Sequence, residues 1–276
     1  MTMVQPHERG QVLLDVSNVS LTLGGKQILR DVDLKIHDMT RPGVATGQVV
    51  ALLGPSGVGK TRLFRIMAGL DAPDTGTVRL GTTGAPVSRG HVGVVFQNYP
   101  LFEHRTIQSN VLLAAERGGL KGGQARDKAL HMLERLGLKE HGRKYPVQLS
   151  GGQRQRVAIA QQILCSKHFL LMDEPFSGLD PIATEQVCEL IAEVSGLHEF
   201  NTIIVVTHNI EAGLEVADTV YLLGRDRQPD GSIVPGARLQ LTIDMAARGL
   251  AWRKGIQSTP EFFNVMREIR EKFYTL

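Results

Sequence analysis

The sequence predicts an α/β fold with an open, largely parallel sheet, and three observations carry the prediction. Short continuous apolar runs recur at 49–53, 169–172 and 203–206, the pattern of parallel strands buried on both faces. Stretches that read as helices lie between and after them, at 152–165, 181–196 and 209–217. The first run leads without interruption into Gly54-Pro55-Ser56-Gly57-Val58-Gly59-Lys60-Thr61, and a helix-forming stretch with an apolar face, Arg62-Leu63-Phe64-Arg65-Ile66-Met67-Ala68, follows. A loop that cradles phosphate must leave a buried strand, turn with its N–H groups inward and open a helix whose N-terminus faces the anion. Its glycines let the backbone approach phosphate oxygens, Lys60 reaches the β- and γ-phosphates, and the Thr61 hydroxyl suits a Mg²⁺ ligand.

The elements follow in order. Residues 11–36 alternate and turn as a small antiparallel sheet around Gly24-Gly25. Residues 37–47 read as a loop. Asp74-Thr75-Gly76 reads as a tight turn beside strands at 78–80 and 92–96. From about 105 to 148 the spacing is helical, through Ile107, Val111, Leu112 and Ala115 and then Leu130, Leu133 and Leu136, with Gly118-Gly119 and Gly122-Gly123 separating two helices. After Tyr221-Leu222-Leu223, residues 224–231 read as an exposed linker. A final helix begins after Pro260 and carries Phe262, Met266, Ile269 and Phe273 on one face.

Composition narrows the function. The 276 residues are 42% apolar, enough for a packed core. The net charge of +3 arises from 31 basic and 28 acidic residues spread along the chain, so nucleic acid is not an expected partner. Cys165 and Cys188 have no metal-ligand spacing and read as reduced, small apolar residues. The first ten residues lack the apolar core of a signal peptide, and no run of about 18 apolar residues is present to span a bilayer.

Four further motifs accompany the phosphate loop. They are Gln97 ending an apolar strand; Leu149-Ser150-Gly151-Gly152-Gln153; Leu170-Leu171-Met172-Asp173-Glu174-Pro175 with Ser177-Gly178-Leu179-Asp180 behind it; and Val206-Thr207-His208. Over residues 11–223 the set resembles the ATP-binding cassette ATPases, whose signature is the Leu-Ser-Gly-Gly-Gln segment. The resemblance implies a P-loop NTPase (RecA-like) core with an N-terminal antiparallel β subdomain and an inserted α-helical subdomain. The core would span 11–97 and 152–223, the helical subdomain 98–151, and a C-terminal extension 224–276.

The residue chemistry agrees with the roles the resemblance implies. Asp173 suits a metal ligand, and Glu174 is placed to orient and deprotonate an attacking water. His208 follows a buried strand and would donate to the γ-phosphate. Gln97 offers both an amide and a carbonyl to the metal or water. Ser150, Gly151, Gly152 and Gln153 open a second helix end suited to an anion. By resemblance, that helix end closes over the ATP of a second copy, with Asp180 helping across the interface. Leu23 stands where the family commonly has an aromatic that stacks on adenine, and it offers no π-face.

The cofactors expected are ATP and Mg²⁺. The partners expected are a second copy in a head-to-tail homodimer, integral membrane permease subunits, and indirectly a periplasmic or extracellular solute-binding protein. Tyr99, Pro100, Leu101 and Phe102 would receive a coupling helix of the permease. The whole looks most similar to importer cassettes for nitrate, sulfonates or polar amino acids, peripheral on the cytoplasmic face of the membrane. The ATPase of an exporter or lipid-moving complex is the second reading, and a soluble non-transport ATPase the third.

Overall fold

The computed structural model describes residues 7–41, 47–81, 84–165, 169–196, 202–253 and 255–276. A long hairpin comes first, β1 (Glu8–Leu23) and β2 (Lys26–Thr40), turning at the expected Gly24-Gly25. Its alternate residues Leu14, Val16, Leu34 and Ile36 are buried, because side chains of a strand point to opposite faces in turn. β2 runs on through residues 37–40, so the loop expected at 37–47 starts later; residues 42–46 lie outside the described residues.

The central strand β3 (Gln48–Leu53) is buried along its whole length and feeds α1 (Lys60–Met67). β4 (Thr75–Leu80) and the short β5 (Ala85–Pro86) complete an antiparallel sheet of order β2-β1-β4-β5. The turn expected at 74–76 is already strand from Thr75. Gly76 is accommodated at φ 86°, where a Cβ would sit 2.3 Å from the Asn18 carbonyl oxygen.

β6 (Gly93–Val95) precedes the helical region, which contains α2 (Ile107–Arg117), α3 (Gly122–Arg135) and the start of α4 (Gly151–Cys165). The chain then alternates β7 (Phe169–Asp173), α5 (Pro181–Ser195), β8 (Thr202–Thr207), α6 (Ile210–Val216) and β9 (Thr219–Gly224). A second sheet results, of order β10-β9-β3-β8-β7-β6, in which all neighbours are parallel except the edge strand β10 (Arg238–Asp244).

The linker expected at 224–231 is exposed over residues 227–231, and the strand that lies beyond it is one the sequence reading did not assign. The sheet continues to the buried Gly224 and is extended by β10, with Leu239, Leu241 and Ile243 alternating along it. The last helix, α7 (Pro260–Tyr274), folds back on the same region. Phe262, Val265, Met266 and Ile269 are buried with Leu53, Leu214 and Leu222, each such burial contributing about 2 kcal/mol.

Asp218 ties these parts together. Its carboxylate is 3% exposed and accepts the Val49 N–H at 2.7 Å, while its carbonyl accepts the N–H of Met245 at 3.0 Å. Trp252 Nε1 approaches the carboxylate without completing a hydrogen bond. Burial pushes the acid from 3.8 up to about 7, against the Val49 N–H and the Arg41 charge, and Asp244 adds to the upward push. The fold therefore favours the protonated form. This contribution is full below about pH 4 and is lost as pH rises through about 7, a span worth at most about 4 kcal/mol. Asp218→Asn, which keeps an acceptor for Val49, is expected to flatten the fall in unfolding midpoint between pH 4 and 8. An unchanged slope in urea titrations would place the titration elsewhere.

Candidate active site

β3 delivers the phosphate loop to the carboxyl edge of the parallel sheet. Gly54 is needed there because a Cβ would lie 2.5 Å from the Leu223 carbonyl oxygen. Pro55 is half-buried and Val58 buried, while Ser56 and Gly57 are exposed at the apex. Gly59 precedes α1 at φ 118° and no side chain caps the helix, so its first-turn amide donors have no side-chain acceptor.

The Lys60 ammonium folds back into the loop and donates to the carbonyls of Gly54 at 2.9 Å and Pro55 at 3.1 Å. It also lies 3.6 Å from Glu174 Oε1, with its side chain only 6% exposed. Burial pulls its pKa down, opposed by Glu174 and Asp173.

β7 and β8 run in parallel with Asp173 opposite Val206, so the two carboxylates at the end of β7 meet the residues that end β8. Asp173 has its pKa raised by burial and by the neighbouring Glu174, against a hydrogen bond from the Thr61 hydroxyl and the Lys60 charge. One of its oxygens, Oδ1, is buried with no hydrogen-bond partner. An unsatisfied buried carboxylate oxygen beside a threonine hydroxyl fits a hard cation such as Mg²⁺.

Glu174 adopts φ 50°, and its N–H donates to the Val206 carbonyl at 2.8 Å. Oε2 accepts the Thr207 hydroxyl at 3.0 Å, the His208 N–H at 3.3 Å, and lies 2.9 Å from His208 Nδ1. A left-handed backbone at a bulky residue, held by four groups, marks stored strain of the kind functional sites carry.

Gln97 is brought near this region without touching Asp173, Thr61 or Glu174 through a hydrogen bond; its Nε2 donates to Ser177 Oγ at 3.0 Å. Tyr99 adds a second tie, its hydroxyl donating to the Pro175 carbonyl at 3.3 Å from a backbone at φ 44°. Burial pushes this phenol up to about 12, which keeps it a donor at neutral pH. Tyr99 and Leu101 pack against the helical core, whereas Phe102 is exposed. Asn110, fully buried, fixes the stretch between by donating to the carbonyls of Phe102, Arg105 and Thr106.

Ser150, Gly151 and Gly152 are exposed at the start of α4. Ser150 Oγ accepts the Gln153 N–H at 3.3 Å and Gln153 Oε1 accepts the Ser150 N–H at 3.1 Å, a reciprocal capping box. Asp180 caps α5 by accepting the Ala183 N–H at 2.8 Å. Leu23 is 39% exposed at the end of β1. Sequence reasoning gave no role to Thr207 or Ser177, nor to Arg225, whose guanidinium donates to the Gly57 carbonyl at 3.2 Å, and it placed Tyr99 only among the residues expected to receive a coupling helix. Ser177 and Thr207 stand inside the recognised motifs, and that was their only signal.

A phosphate loop between a central parallel strand and its helix, with a carboxylate pair ending a nearby strand of the same sheet, defines the P-loop NTPase fold. A family model described as "ABC transporter" matches residues 39–177. The sulfate/thiosulfate import ATP-binding protein CysA of Thermosynechococcus vestitus is 39% identical over 217 residues, 77% of this chain and 61% of that protein. The methionine import ATP-binding protein MetN of Caulobacter vibrioides is 36% identical over 236 residues, 82% of this chain and 68% of that protein. Among solved structures, cbiO1 from Clostridium perfringens, part of the ABC transporter complex cbiONQ, superposes with a TM-score of 0.71 at 26% identity, covering 93% of this chain and 99% of that one. This chain belongs to the ABC transporter family. Its match spans between 59% and 61% of the length of the first three CysA relatives.

Proposed function

We propose that this chain is an ATP-hydrolysing subunit that energises import of a small polar solute through separate membrane subunits. The observation that carries the reading is the placement of Glu174, held by Thr207 and His208 at the mouth of the phosphate loop and 3.6 Å from Lys60. On this reading the arriving phosphates draw the Lys60 ammonium away from the carbonyls of Gly54 and Pro55. Glu174, released from Lys60, accepts the proton of the attacking water, while His208 donates to the γ-phosphate. Thr61 and Asp173 would hold Mg²⁺, with Gln97 joining after leaving Ser177, and the ion would neutralise charge on the phosphate oxygens.

The exposed Ser150, Gly151 and Gly152 and the half-buried Gln153 complete the pocket of a second copy, together with Asp180. The named import functions of the relatives favour uptake over export, and they favour small solutes of the sulfate or methionine kind. No helix among the described residues is long and apolar enough to cross a membrane; on this reading the permease subunits are separate chains and the cassette sits peripherally on the cytoplasmic face. A solute-binding protein would then deliver the cargo from outside. The test is ATP hydrolysis by the chain reconstituted with its permease in vesicles. Solute accumulating on the side of the cassette supports import, and movement the other way supports the exporter reading.

Leu23 allows a sharper check of where the nucleotide lies. Giving it a π-face with Leu23→Tyr should tighten ATP binding about tenfold, the stacking of a base on an aromatic ring being worth about 1–3 kcal/mol. Equal dissociation constants in calorimetry would show that adenine does not rest on this strand end.

A further inference from the structure

Beside the phosphate loop, the segment after β9 and the last turn of α7 enclose a cleft of about 610 Å³, lined by Arg225, Asp226, Arg227, Gln240, Lys272 and Tyr274. Its one acid is already committed. Asp226 pairs with Arg30 and, at 2.7 Å, with Arg238, and it accepts from Gln240 at 3.0 Å. Among the described residues, Arg225 and Lys272 have no such partner. Arg225 donates to the Gly57 carbonyl at 3.2 Å, while Arg227 donates to the Gly231 carbonyl at 3.4 Å and to the main-chain oxygen of the last residue, Leu276, at 2.8 Å, which leaves part of its guanidinium fork open to the cleft. Lys272 also belongs to the last turn of α7, where the helix dipole favours a cation.

Like charges gathered in one cleft repel one another, and carbonyl hydrogen bonds leave guanidinium donors to spare. Planar guanidinium forks match the geometry of a tetrahedral oxyanion, and Tyr274 and Thr275 line the same cleft. The geometry points to a binding site for a free inorganic oxyanion of the sulfate or phosphate class, formed by Arg225, Arg227 and Lys272 and linked to the phosphate loop through the Arg225 contact with Gly57. An anion taken up by the remaining donors of Arg225 pulls on the same guanidinium that holds the Gly57 carbonyl. Occupancy therefore shifts how firmly the apex of the phosphate loop is held, and with it the affinity for ATP. The linkage rests on the proposed nucleotide site, whereas binding of the anion does not.

The test uses the full chain loaded with saturating ADP, so that the phosphate loop is occupied, and titrates sodium sulfate against sodium chloride at equal ionic strength. The native chain should show a saturable rise in melting temperature with sulfate and with phosphate. Arg227→Gln combined with Lys272→Gln should retain the ADP-dependent shift and weaken the sulfate dependence at least fivefold. Equal sulfate curves in the native and double-variant chains would overturn the site, whatever the fate of the ATPase reading. Sulfate should also change the KM for ATP in the native chain and leave it unchanged in the double variant; a native KM indifferent to sulfate would overturn the linkage.

Discussion

Glu174→Gln should bind ATP as tightly as the native chain and hydrolyse it about 1000-fold more slowly, the loss of a positioned general base being worth about 10² to 10⁴. The geometry separates the two effects. Glutamine keeps the length of the side chain and an oxygen for the Thr207 hydroxyl that now bonds Oε2 at 3.0 Å, so the turn at 174 keeps its shape. What disappears is the negative charge that could take a proton, together with the repulsion felt by Asp173. Because the phosphates then stay intact, the variant should accumulate as an ATP-bound dimer, seen by light scattering with ATP present and absent. Turnover at the native rate would remove Glu174 from the role of base. Slow turnover with no dimer would instead count against closure of two copies across Ser150 and Asp180.

How far this site could be read from sequence depends on which contacts are local. The phosphate loop was legible because strand, glycines, lysine and helix are contiguous, and the structure keeps them so in β3 and α1. The Ser150–Gln153 capping box spans three residues and is likewise written in the chain. The grip on Glu174 is not local. It comes from the register that sets Asp173 of β7 opposite Val206 of β8, and nothing in either strand states that register alone. Asp218 was invisible for the same reason: a lone acid between a helix and a strand reads as exposed until β3 and the segment after β10 close over it. β10 is a different kind of miss. Leu239, Leu241 and Ile243 alternate plainly, but a long turn-rich stretch separates them from β9 and no two-residue turn marks the pair as a hairpin.

Lys60→Ala should weaken ATP binding about 100-fold, the upper end of what a charge-assisted hydrogen bond contributes, and should abolish hydrolysis as a consequence of lost binding. The nucleotide-free protein offers a second readout that catalysis does not affect. Among the described residues the Lys60 ammonium is the one lysine or arginine group within 4 Å of Glu174, and it offsets the mutual repulsion of Glu174 and Asp173. Its removal leaves two half-buried carboxylates facing each other, so the nucleotide-free Lys60→Ala chain should unfold at a lower urea concentration than the native one. Adding Glu174→Gln to that variant relieves the repulsion and should recover part of the lost stability without restoring ATP binding. Lys60→Arg should fail to bind ATP at native strength, because a planar fork does not replace the compact ammonium that reaches both the Gly54 and Pro55 carbonyls. If the double variant is no more stable than Lys60→Ala, the lysine is not the counter-charge of the carboxylate pair, and its position 3.6 Å from Glu174 plays no part in holding the site ready for nucleotide.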